Sequence, residues 1–489
     1  MFLYIETLMA TTLENYLEYA RDFNLVPVSR EVISDLETPV TVLRRFADRR
    51  NAFLLESVEG GETWGRYSFI GVDPELLFED DHRRPGNGRL LAGVRSIYRN
   101  VSPAPAPGLP RFIGGGVGFI SYEAVNEFER LPPPKAAARQ DDCVSRFLKV
   151  DKLIVFDNLR HTIRIVVCSR PEKSASPEKA FQEACREIDK IEEILCQPVA
   201  PQEKNIYPVP RFKSNLRPEE YCAMVAKAKE YIVAGDIIQG VLSQRFSAET
   251  ALPPLEIYRA LRLLNPSPYM FFLKIGGQTL VGSSPETMVR LTGNRVELRP
   301  IAGTRPRGRD EQADRRLADE LLSDEKEKAE HVMLVDLGRN DVGRVAETGS
   351  VQVRDYMIIE RYSHVMHIVS HVEGILRREC DAADVLKATF PAGTLSGAPK
   401  IRAMEIIREL EPGPRGVYGG AVGYVGYDGS MDFAITIRTI ESLNNVVSIQ
   451  AGAGIVFNSE PEREYEETCH KAQALKSAIE LAAKGLRLE

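Results

Sequence analysis

The spacing of apolar and polar positions in the first 200 residues predicts short strands that alternate with helices. A capping threonine followed by proline opens a helical pattern over residues 38–48. A short apolar strand is predicted over 52–57, and the alternation over 150–167 predicts a β-hairpin with its turn near Asp157. A charged helix is predicted over about 177–194. This part of the chain therefore combines both types of element.

The segment 197–210 contains four prolines and little periodicity, so we interpret it as a linker between two domains. Beyond it the predicted elements become longer, and glycine-rich strands dominate near the end. Two glycine-rich segments, 114–123 and 419–428, look alike and are interpreted as equivalent strands in two related sheets. A chance similarity between segments of β composition is the alternative.

Composition and charge narrow the class of protein. Hydrophobic residues make up 43% and charged residues 27% of the 489 residues, which is typical of a soluble globular enzyme. The formal net charge of −7 and the lack of a dense Lys/Arg run argue against binding to nucleic acid. No signal-peptide or membrane-span pattern occurs, and the seven cysteines are scattered without a Cys-x-x-Cys pair. We therefore expect a cytoplasmic protein with no membrane contact.

Four glutamates show the same helical spacing in two places. Glu327 and Glu330 lie three residues apart in a strong helical pattern, and Glu464 and Glu467 repeat that spacing near the C-terminus. Residues three apart share one helical face, so two such faces brought together could offer carboxylate oxygens to Mg²⁺. Solvated helix faces are the alternative, and spacing alone does not decide between the two.

Other polar motifs have more than one interpretation. The Ala-Gly-Ala-Gly segment 451–454 follows a β-like run, and its amides could hold a carboxylate, although a tight β bend is the favoured interpretation. His364, His367 and His371 lie in an apolar run, where buried structural histidines and a proton-transfer group both fit. The glycine patterns of dinucleotide and nucleotide-phosphate sites are absent.

Four longer motifs are Pro300-Ile-Ala-Gly-Thr-Arg-Pro-Arg-Gly308, Leu334-Val-Asp-Leu-Gly-Arg-Asn-Asp341, Phe390-Pro-Ala-Gly-Thr-Leu-Ser-Gly-Ala-Pro-Lys400 and Gln450-Ala-Gly-Ala-Gly-Ile455. Together they resemble the chorismate-utilising enzymes. The resemblance extends over about 217–482 in order and spacing, and a weaker one to the N-terminal domain of anthranilate synthases covers about 23–157. It implies an α+β fold with two large antiparallel β-sheets packed as a sandwich and helices on the outside. The expected domains are a regulatory one at 15–170 and a catalytic, chorismate-binding one at 215–482.

The resemblance gives the two acidic pairs a role. In these enzymes two such helices converge on Mg²⁺, which bridges to the ring carboxylate of chorismate. It implies that Glu330 and Glu467 are direct ligands, whereas Glu327 and Glu464 act through water.

Catalytic and substrate-binding residues are implied in the same way. Glu286 corresponds to the acid that protonates the departing C4 hydroxyl, and His367 and Thr394 correspond to residues beside the reacting ring. A dianionic substrate requires cationic side chains and oriented amides, which fits the remaining positions. The substrate-binding residues implied are Gly303, Thr304, Tyr418, Arg438, Gly452, Ala453, Gly454 and Lys471.

Two positions discriminate among members of the family. Members that add water carry a lysine base where this chain has Gln239, and one type of aminodeoxychorismate synthase carries a lysine where it has Ala302. Both absences favour the anthranilate synthase branch, a lyase in which ammonia, already nucleophilic, adds at C2 before pyruvate is eliminated. Aminodeoxychorismate synthase component I and a non-catalytic tryptophan-sensing subunit of the same fold are the alternatives.

The resemblance also implies a partner and a regulatory ligand. No Gly-x-Cys-x-Gly elbow occurs, so ammonia is expected from glutamine through a separate glutamine amidotransferase subunit, in a heterotetramer. The segments 54–57 and 265–272 resemble two that bind the feedback inhibitor tryptophan; a strand end packed on a proline turn is the alternative. The expected tryptophan-binding residues are Glu56, which would face the ammonium group, Ser57, Asn265, Pro266, Tyr269 and Met270.

Overall fold

The computed structural model describes residues 8–9, 11–34, 36–57, 66–81, 88–133, 135–136, 143–199, 205–362 and 365–487. The strands are β1 (Leu8–Met9), β2 (Val26–Ile33), β3 (Asn51–Glu56), β4 (Tyr67–Gly71), β5 (Glu75–Asp81), β6 (Gly115–Ile120), β7 (Cys143–Val150), β8 (Lys152–Asp157), β9 (Thr162–Ser169), β10 (Lys213–Ser214), β11 (Gln239–Glu249), β12 (Tyr269–Ile275), β13 (Gln278–Ser284), β14 (Thr287–Thr292), β15 (Arg295–Leu298), β16 (Ile301–Pro306), β17 (Gln352–Arg361), β18 (Val365–Ile375), β19 (Gly397–Ala398), β20 (Ala421–Gly426), β21 (Met431–Ile435), β22 (Thr439–Leu443) and β23 (Val446–Ile455). The helices are α1 (Leu13–Tyr19), α2 (Pro39–Arg44), α3 (Arg89–Tyr98), α4 (Pro177–Cys196), α5 (Pro218–Val233), α6 (Pro254–Leu264), α7 (Glu311–Ser323), α8 (Glu325–Gly343), α9 (Ala382–Thr389), α10 (Gly393–Ser396), α11 (Lys400–Leu410) and α12 (Pro461–Ala483).

Within these ranges the strands form two antiparallel sheets. The first has thirteen strands in the order β1-β2-β9-β8-β4-β3-β12-β13-β22-β23-β11-β10, with β19 attached to β11. The second has ten in the order β16-β18-β15-β14-β21-β20-β6-β7-β5, with β17 attached to β18.

A shared core lies between the two sheets. Phe53 and Phe271 from the first sheet belong to the same buried cluster as Phe119 and Val422 from the second. Helices α4, α6 and α12 contribute to a cluster on the outer face of the first sheet, and α3, α8 and α9 to one on the outer face of the second. Burial of each large apolar side chain contributes about 1.5–3 kcal/mol to stability, so the cluster between the sheets and the two outer clusters stabilise the fold. The predicted α+β sandwich with external helices is confirmed.

Both sheets combine strands from either side of the predicted linker. Strand β3 pairs with β12 so that Leu54 lies opposite Phe272, and β6 pairs with β20 so that Gly118 lies opposite Gly423. No helix or strand is found among the described residues between α4 and β10, where the linker was predicted. The domain limits 15–170 and 215–482 stay predictions.

The two similar glycine-rich segments became β6 and β20. They are hydrogen-bonded neighbours in the second sheet, so the prediction that they lie in two different sheets is wrong. Their likeness reflects a shared need for small side chains where two strands meet at a sheet face covered by a core.

The local predictions of the first half hold with small shifts. Thr38 caps α2 in a reciprocal arrangement with Thr41, but the helix ends at Arg44 and turns follow it. The predicted hairpin is β8 and β9, and the charged helix is α4. No helix in the described ranges is long and apolar enough to cross a lipid bilayer.

Candidate active site

The N-terminal parts of the two acidic helices lie near each other. Burial, and then the charge of Glu327, raise the pKa of Glu330 on α8. Burial also raises the pKa of Glu464 on α12. The charges of Lys326 and Lys471 act on Glu330 and Glu464 alike, which requires both helix ends to lie close together. Carboxyls that repel one another in a partly buried place are the kind of group that a cation stabilises.

The carboxylates are held apart in the present arrangement of side chains. Lys471 Nζ lies 2.6 Å from Glu467 Oε1 and donates a 3.0 Å hydrogen bond to the carbonyl of Gly452. Arg305 lies 3.7 Å from Glu327. Within the described ranges no group of three or more acidic, histidine or cysteine side chains is close enough to hold a metal ion. The helices therefore bring the four glutamates to one place without closing a ligand sphere.

The Ala-Gly-Ala-Gly segment lies beside these helices. It continues the regular strand β23, in which Gly452 lies opposite Ser243 and Gly454 opposite Val241, so the predicted tight bend is wrong. A Cβ on Gly452 would come within 2.7 Å of the Tyr418 hydroxyl, and one on Gly454 within 2.5 Å of the Gln239 amide. The missing side chains let Tyr418 and Gln239 lie directly against the strand.

One edge of this strand is open toward the site. Strand β22 pairs with β23 only as far as Ile449, whereas β11 pairs with it along its whole length. Over 450–455 the backbone thus has a sheet neighbour on one side only among the described strands. Amides on such an edge can donate to an anion.

Gln239 lies between strand β23 and Glu330 on the first acidic helix. Its amide nitrogen lies 3.5 Å from Glu330 Oε1, at the long limit of a hydrogen bond. The side chain is only 4% exposed. An uncharged amide therefore stands between Gly454 and the first acidic helix.

Glu286 forms a second part of the site. It is 8% exposed, and burial raises its pKa to about 8, partly offset by the Thr394 hydroxyl and the charge of Arg438. The Thr394 oxygen is buried and near this carboxyl, yet it completes no hydrogen bond of good geometry within the described chain. At neutral pH Glu286 is protonated and can donate a proton to a bound leaving group.

His367 lies on β18 next to a bulge in β16. Its Nδ1 lies 2.9 Å from the carbonyl of Gly303 and 3.1 Å from the Thr304 hydroxyl. Because a carbonyl only accepts, Nδ1 carries the proton and the lone pair is on Nε2. Gly303 has a φ of +66°, and a Cβ there would come within 3.0 Å of the Glu327 side chain. The backbone beside His367 therefore lies next to the first pair of glutamates. His371 also lies on β18, and His364 falls outside the described residues.

Arg415 supports the site and was not anticipated from the sequence. Its side chain is 1% exposed and pairs with Glu411 at 2.7 Å. It also donates to the carbonyls of Leu395 and Val241, both at 2.6 Å, and its guanidinium lies 5.7 Å from the centre of the Tyr418 ring. The Glu-x-x-x-Arg spacing was visible, but spacing does not distinguish a buried pair from a surface pair.

A cavity of about 620 Å³ lies between the sheets, away from these groups. Four of the six predicted inhibitor-binding residues line it, namely Glu56, Ser57, Tyr269 and Met270. Asn265 and Pro266 are not part of its wall, because Asn265 ends α6 and Pro268 takes the wall position instead. The other lining residues are Leu55, Tyr67, Phe69, Phe271, Arg290, Val422, Gly423, Tyr424, Asp432 and Ala434.

The polar groups of this cavity differ from those expected. The Glu56 carboxylate accepts from Arg262 at 2.7 Å and from the Tyr258 hydroxyl on α6. Asp432 instead faces the cavity, where it accepts from Tyr269 and Arg290, both at 2.9 Å. A ligand ammonium would therefore meet Asp432 more directly than Glu56.

Comparisons with known proteins agree with this geometry. The family described as "chorismate binding enzyme" matches residues 50–477. The chain is 47% identical to "Anthranilate synthase component 1" of Acetivibrio thermocellus, over 96% of this chain and 98% of that one. It is 46% identical to the protein of the same name from Acinetobacter calcoaceticus, over 95% and 97%. The solved anthranilate synthase component I of Streptococcus pneumoniae TIGR4 is 36% identical, with a TM-score of 0.74 over 91% of this chain and 99% of that one. The chain belongs to the chorismate-binding enzyme family.

Proposed function

We propose that this chain is the large subunit of anthranilate synthase, which converts chorismate and ammonia to anthranilate and pyruvate. The observations that carry the proposal are the buried Glu286, whose pKa burial raises to about 8, and the uncharged Gln239 beside Glu330. The first supplies an acid for the leaving hydroxyl, and the second supplies no base to activate water. The names of the full-length relatives favour the same reaction.

The first step joins ammonia to C2 of the ring while the C4 hydroxyl departs. Glu286 gives its proton to that oxygen, so that water leaves and aminodeoxyisochorismate forms. Arg438, whose charge reaches Glu286, and Thr394 lie beside this position. Release of the proton from the added ammonium balances the step, and Glu286 is then reprotonated.

The second step removes the C2 proton and breaks the C3–O bond, so that the enolpyruvyl group leaves as the enolate of pyruvate and the ring becomes aromatic. The proton taken from C2 is returned to the methylene carbon of the enolate, which gives pyruvate. His367 is the proposed base, because its Nδ1–H is bound to the Gly303 carbonyl and its lone pair is therefore on Nε2. The fixed ring orientation suits proton transfer near neutral pH.

Mg²⁺ is the proposed cofactor. The residues present fit it, because the raised pKa values of Glu330 and Glu464 reflect burial and carboxylate repulsion that a hard dication offsets. Glu330 and Glu467 would bind it directly, and Glu327 and Glu464 through water. When bound, the ion polarises the ring carboxylate of the substrate.

Substrate carboxylates are bound by groups that surround this place. Lys471 and Arg438 supply positive charge, the Tyr418 hydroxyl supplies a donor, and the open edge of β23 over 452–454 supplies amides. Gly303 and Thr304 lie beside His367 and contact the ring side of the substrate.

Ammonia is proposed to come from glutamine through a separate amidotransferase subunit, in a cytoplasmic heterotetramer. Tryptophan is the proposed feedback inhibitor, bound in the cavity lined by Ser57, Tyr269 and Met270. An aromatic-lined space with an acid and an arginine, Asp432 and Arg290, suits an aromatic amino acid.

One assay tests the reaction. The purified chain is incubated with chorismate, Mg²⁺ and an ammonium salt at alkaline pH, and products are followed by anthranilate fluorescence and identified by mass. Anthranilate supports the proposal. Aminodeoxychorismate would identify the closest alternative in the family, and no turnover would leave the tryptophan-sensing alternative.

A further inference from the structure

A buried ion pair lies outside the residues assigned so far. Lys400 Nζ is 2.6 Å from Asp341 Oδ2, and the two side chains are 12% and 9% exposed. Asp341 is near the C-terminal end of α8, and Lys400 is the first residue of α11. A pair this buried has a large desolvation cost, so it adds little stability compared with an apolar contact. The location of the ion pair indicates a role in positioning neighbouring groups instead of a role in stability.

The same ammonium group is attached to a neighbouring segment. Lys400 Nζ donates a 2.9 Å hydrogen bond to the carbonyl of Pro391, at the start of the segment 391–394. The segment also packs closely on α8, because a Cβ on Gly393 would come within 2.8 Å of Leu337. Two separate contacts therefore fix this segment, which ends in Thr394, on one helix.

These groups and Glu286 surround one space. A cavity of about 370 Å³ has Glu286, Asp341 and Thr394 in its wall. The charged groups that face Glu286 are Arg438 beside it and Arg299 and Asp341 across the cavity. The ion pair is therefore placed to control how closely the segment 391–394 covers the acid.

We propose that Asp341 and Lys400 are positioning residues that hold the segment 391–394, and with it Thr394, against Glu286. The proposal rests on the proposed role of Glu286 as proton donor. Helix α8 also carries Glu330, eleven residues before Asp341 and about 16 Å away along the helix. The pair thus joins the acid end of the site to the metal-binding end through one rigid element.

The experiment compares Lys400→Met, Asp341→Asn and the double variant in the ammonia-dependent assay. Each single variant should lower kcat at least roughly tenfold, because a displaced catalytic group is costly, and should leave KM for chorismate nearly unchanged. The singles also lose thermal stability, since each leaves one buried charge unpaired. The double variant should recover that stability while kcat stays low.

The pH dependence separates positioning from a general loss of packing. A loosened segment admits water to Glu286, so the pKa that burial holds at about 8 falls. The variant-to-parent ratio of kcat should then decrease as pH rises from 6 to 9, and the ionisation of ammonium cancels in this ratio. Lys400→Arg, which keeps the charge, should restore much of the ratio. Arg402→Gln, two residues along α11 and about one-third exposed, is the control with parental kcat.

Two results would overturn the proposal. One is a double variant in which kcat recovers together with stability, because the pair would then act only in folding. The other is a set of single variants with a constant kcat ratio across the pH range. If the parent chain makes no anthranilate, it is the proposed function that fails, before any variant is compared.

Discussion

Glu286 is kept as an uncharged acid by its surroundings at the start of β14. Burial raises its pKa, and the neighbouring hydroxyl and guanidinium offset only part of that effect. The same burial that makes the group a proton donor makes its ionised form unfavourable in the folded protein. Function and stability are therefore coupled at this residue.

That coupling predicts a pH-dependent stability. Glu286 binds a proton more tightly in the folded protein than in the unfolded chain, because its pKa is about 8 instead of the ordinary 4.5. The protonated group therefore contributes fully to the free energy of unfolding below pH 4.5, and this contribution is lost as the pH rises to 8. The loss is on the order of 4 kcal/mol. Urea titrations should show that the free energy of unfolding of Glu286→Gln increases relative to that of the parent protein as the pH rises from 5 to 9. Glu18→Gln, at an exposed position, should show the same pH dependence of stability as the parent protein. If Glu286→Gln also shows the parental pH dependence, the pKa of Glu286 is not raised in the folded protein.

The proposed metal ligands are tested by replacing one carboxylate at a time. Glu330→Gln and Glu467→Gln should abolish anthranilate formation and weaken Mg²⁺ binding measured by calorimetry, because an amide is a weaker ligand for a hard cation. Circular dichroism should remain that of the parent protein. Glu466→Gln, exposed on the same helix, is the matched control, and parental Mg²⁺ affinity in both ligand variants would contradict the assignment.

A substitution of Gln239 tests which product the enzyme forms from chorismate. Gln239→Lys places an amine beside Glu330, where water-adding relatives have their base, and should divert a measurable fraction of product to isochorismate. The fraction is expected to be small, since one residue seldom transfers a whole mechanism. Mass analysis of products gives the ratio. If the unchanged protein makes mainly isochorismate, the argument from Gln239 is wrong.

Among elements, the sequence predicted helices better than glycine-rich strands. Helix α4 follows its pattern because charged and apolar positions repeat with the helical period. Strand β23 was mistaken for a bend at its Ala-Gly-Ala-Gly segment, because small residues give no alternation even when the strand is regular. The four glutamates were found through their spacing, and their roles came from family resemblance. The partners of Glu56 and the buried Arg415 could not be predicted, since they depend on which distant elements pack together.

The cavity between the sheets, proposed to bind the inhibitor, shows how strand register assigns side chains to opposite faces. Met270 lies directly opposite Glu56 across β12 and β3. Both side chains lie on the helix-covered face, with Met270 in the outer core and Glu56 bound to α6. Ser57 follows Glu56 and Tyr269 precedes Met270, and both border the space between the sheets. Substitution of Ser57 or of Met270 thus changes the wall of the cavity, and substitution of Met270 also alters the outer core.

Feedback inhibition should therefore be separable from catalysis. Ser57→Phe fills the cavity and Met270→Thr loosens its wall, so each should raise the tryptophan concentration for half-inhibition at least about fivefold. The turnover with saturating chorismate should stay near parental. Calorimetry should also show chorismate weakening tryptophan binding by the factor with which tryptophan weakens chorismate binding. Failure of the parent protein to bind tryptophan would refute the regulatory proposal alone.

At the scale of the whole molecule, the pairing of β3 with β12 and of β6 with β20 makes the two halves one structure. A chain cut at 200–204 should assemble when both fragments are coexpressed and should elute as one complex on gel filtration. Each fragment alone should be insoluble, because it exposes unpaired strand edges and half of the shared core. A soluble, monomeric and active fragment 205–489 would refute this interdependence.

The late pairing of β6 has a consequence for the synthesis of the protein. Strand β20 begins 301 residues after β6 ends, and at 5–20 residues per second the ribosome needs roughly 15–60 s to supply it. During that interval the emerged half carries an apolar glycine-rich edge that any other strand can join. The time is long compared with the roughly 0.1–10 microseconds in which helices and hairpins form. Cellular yield should therefore depend on chaperone occupancy and growth temperature more than on the final stability of the folded enzyme.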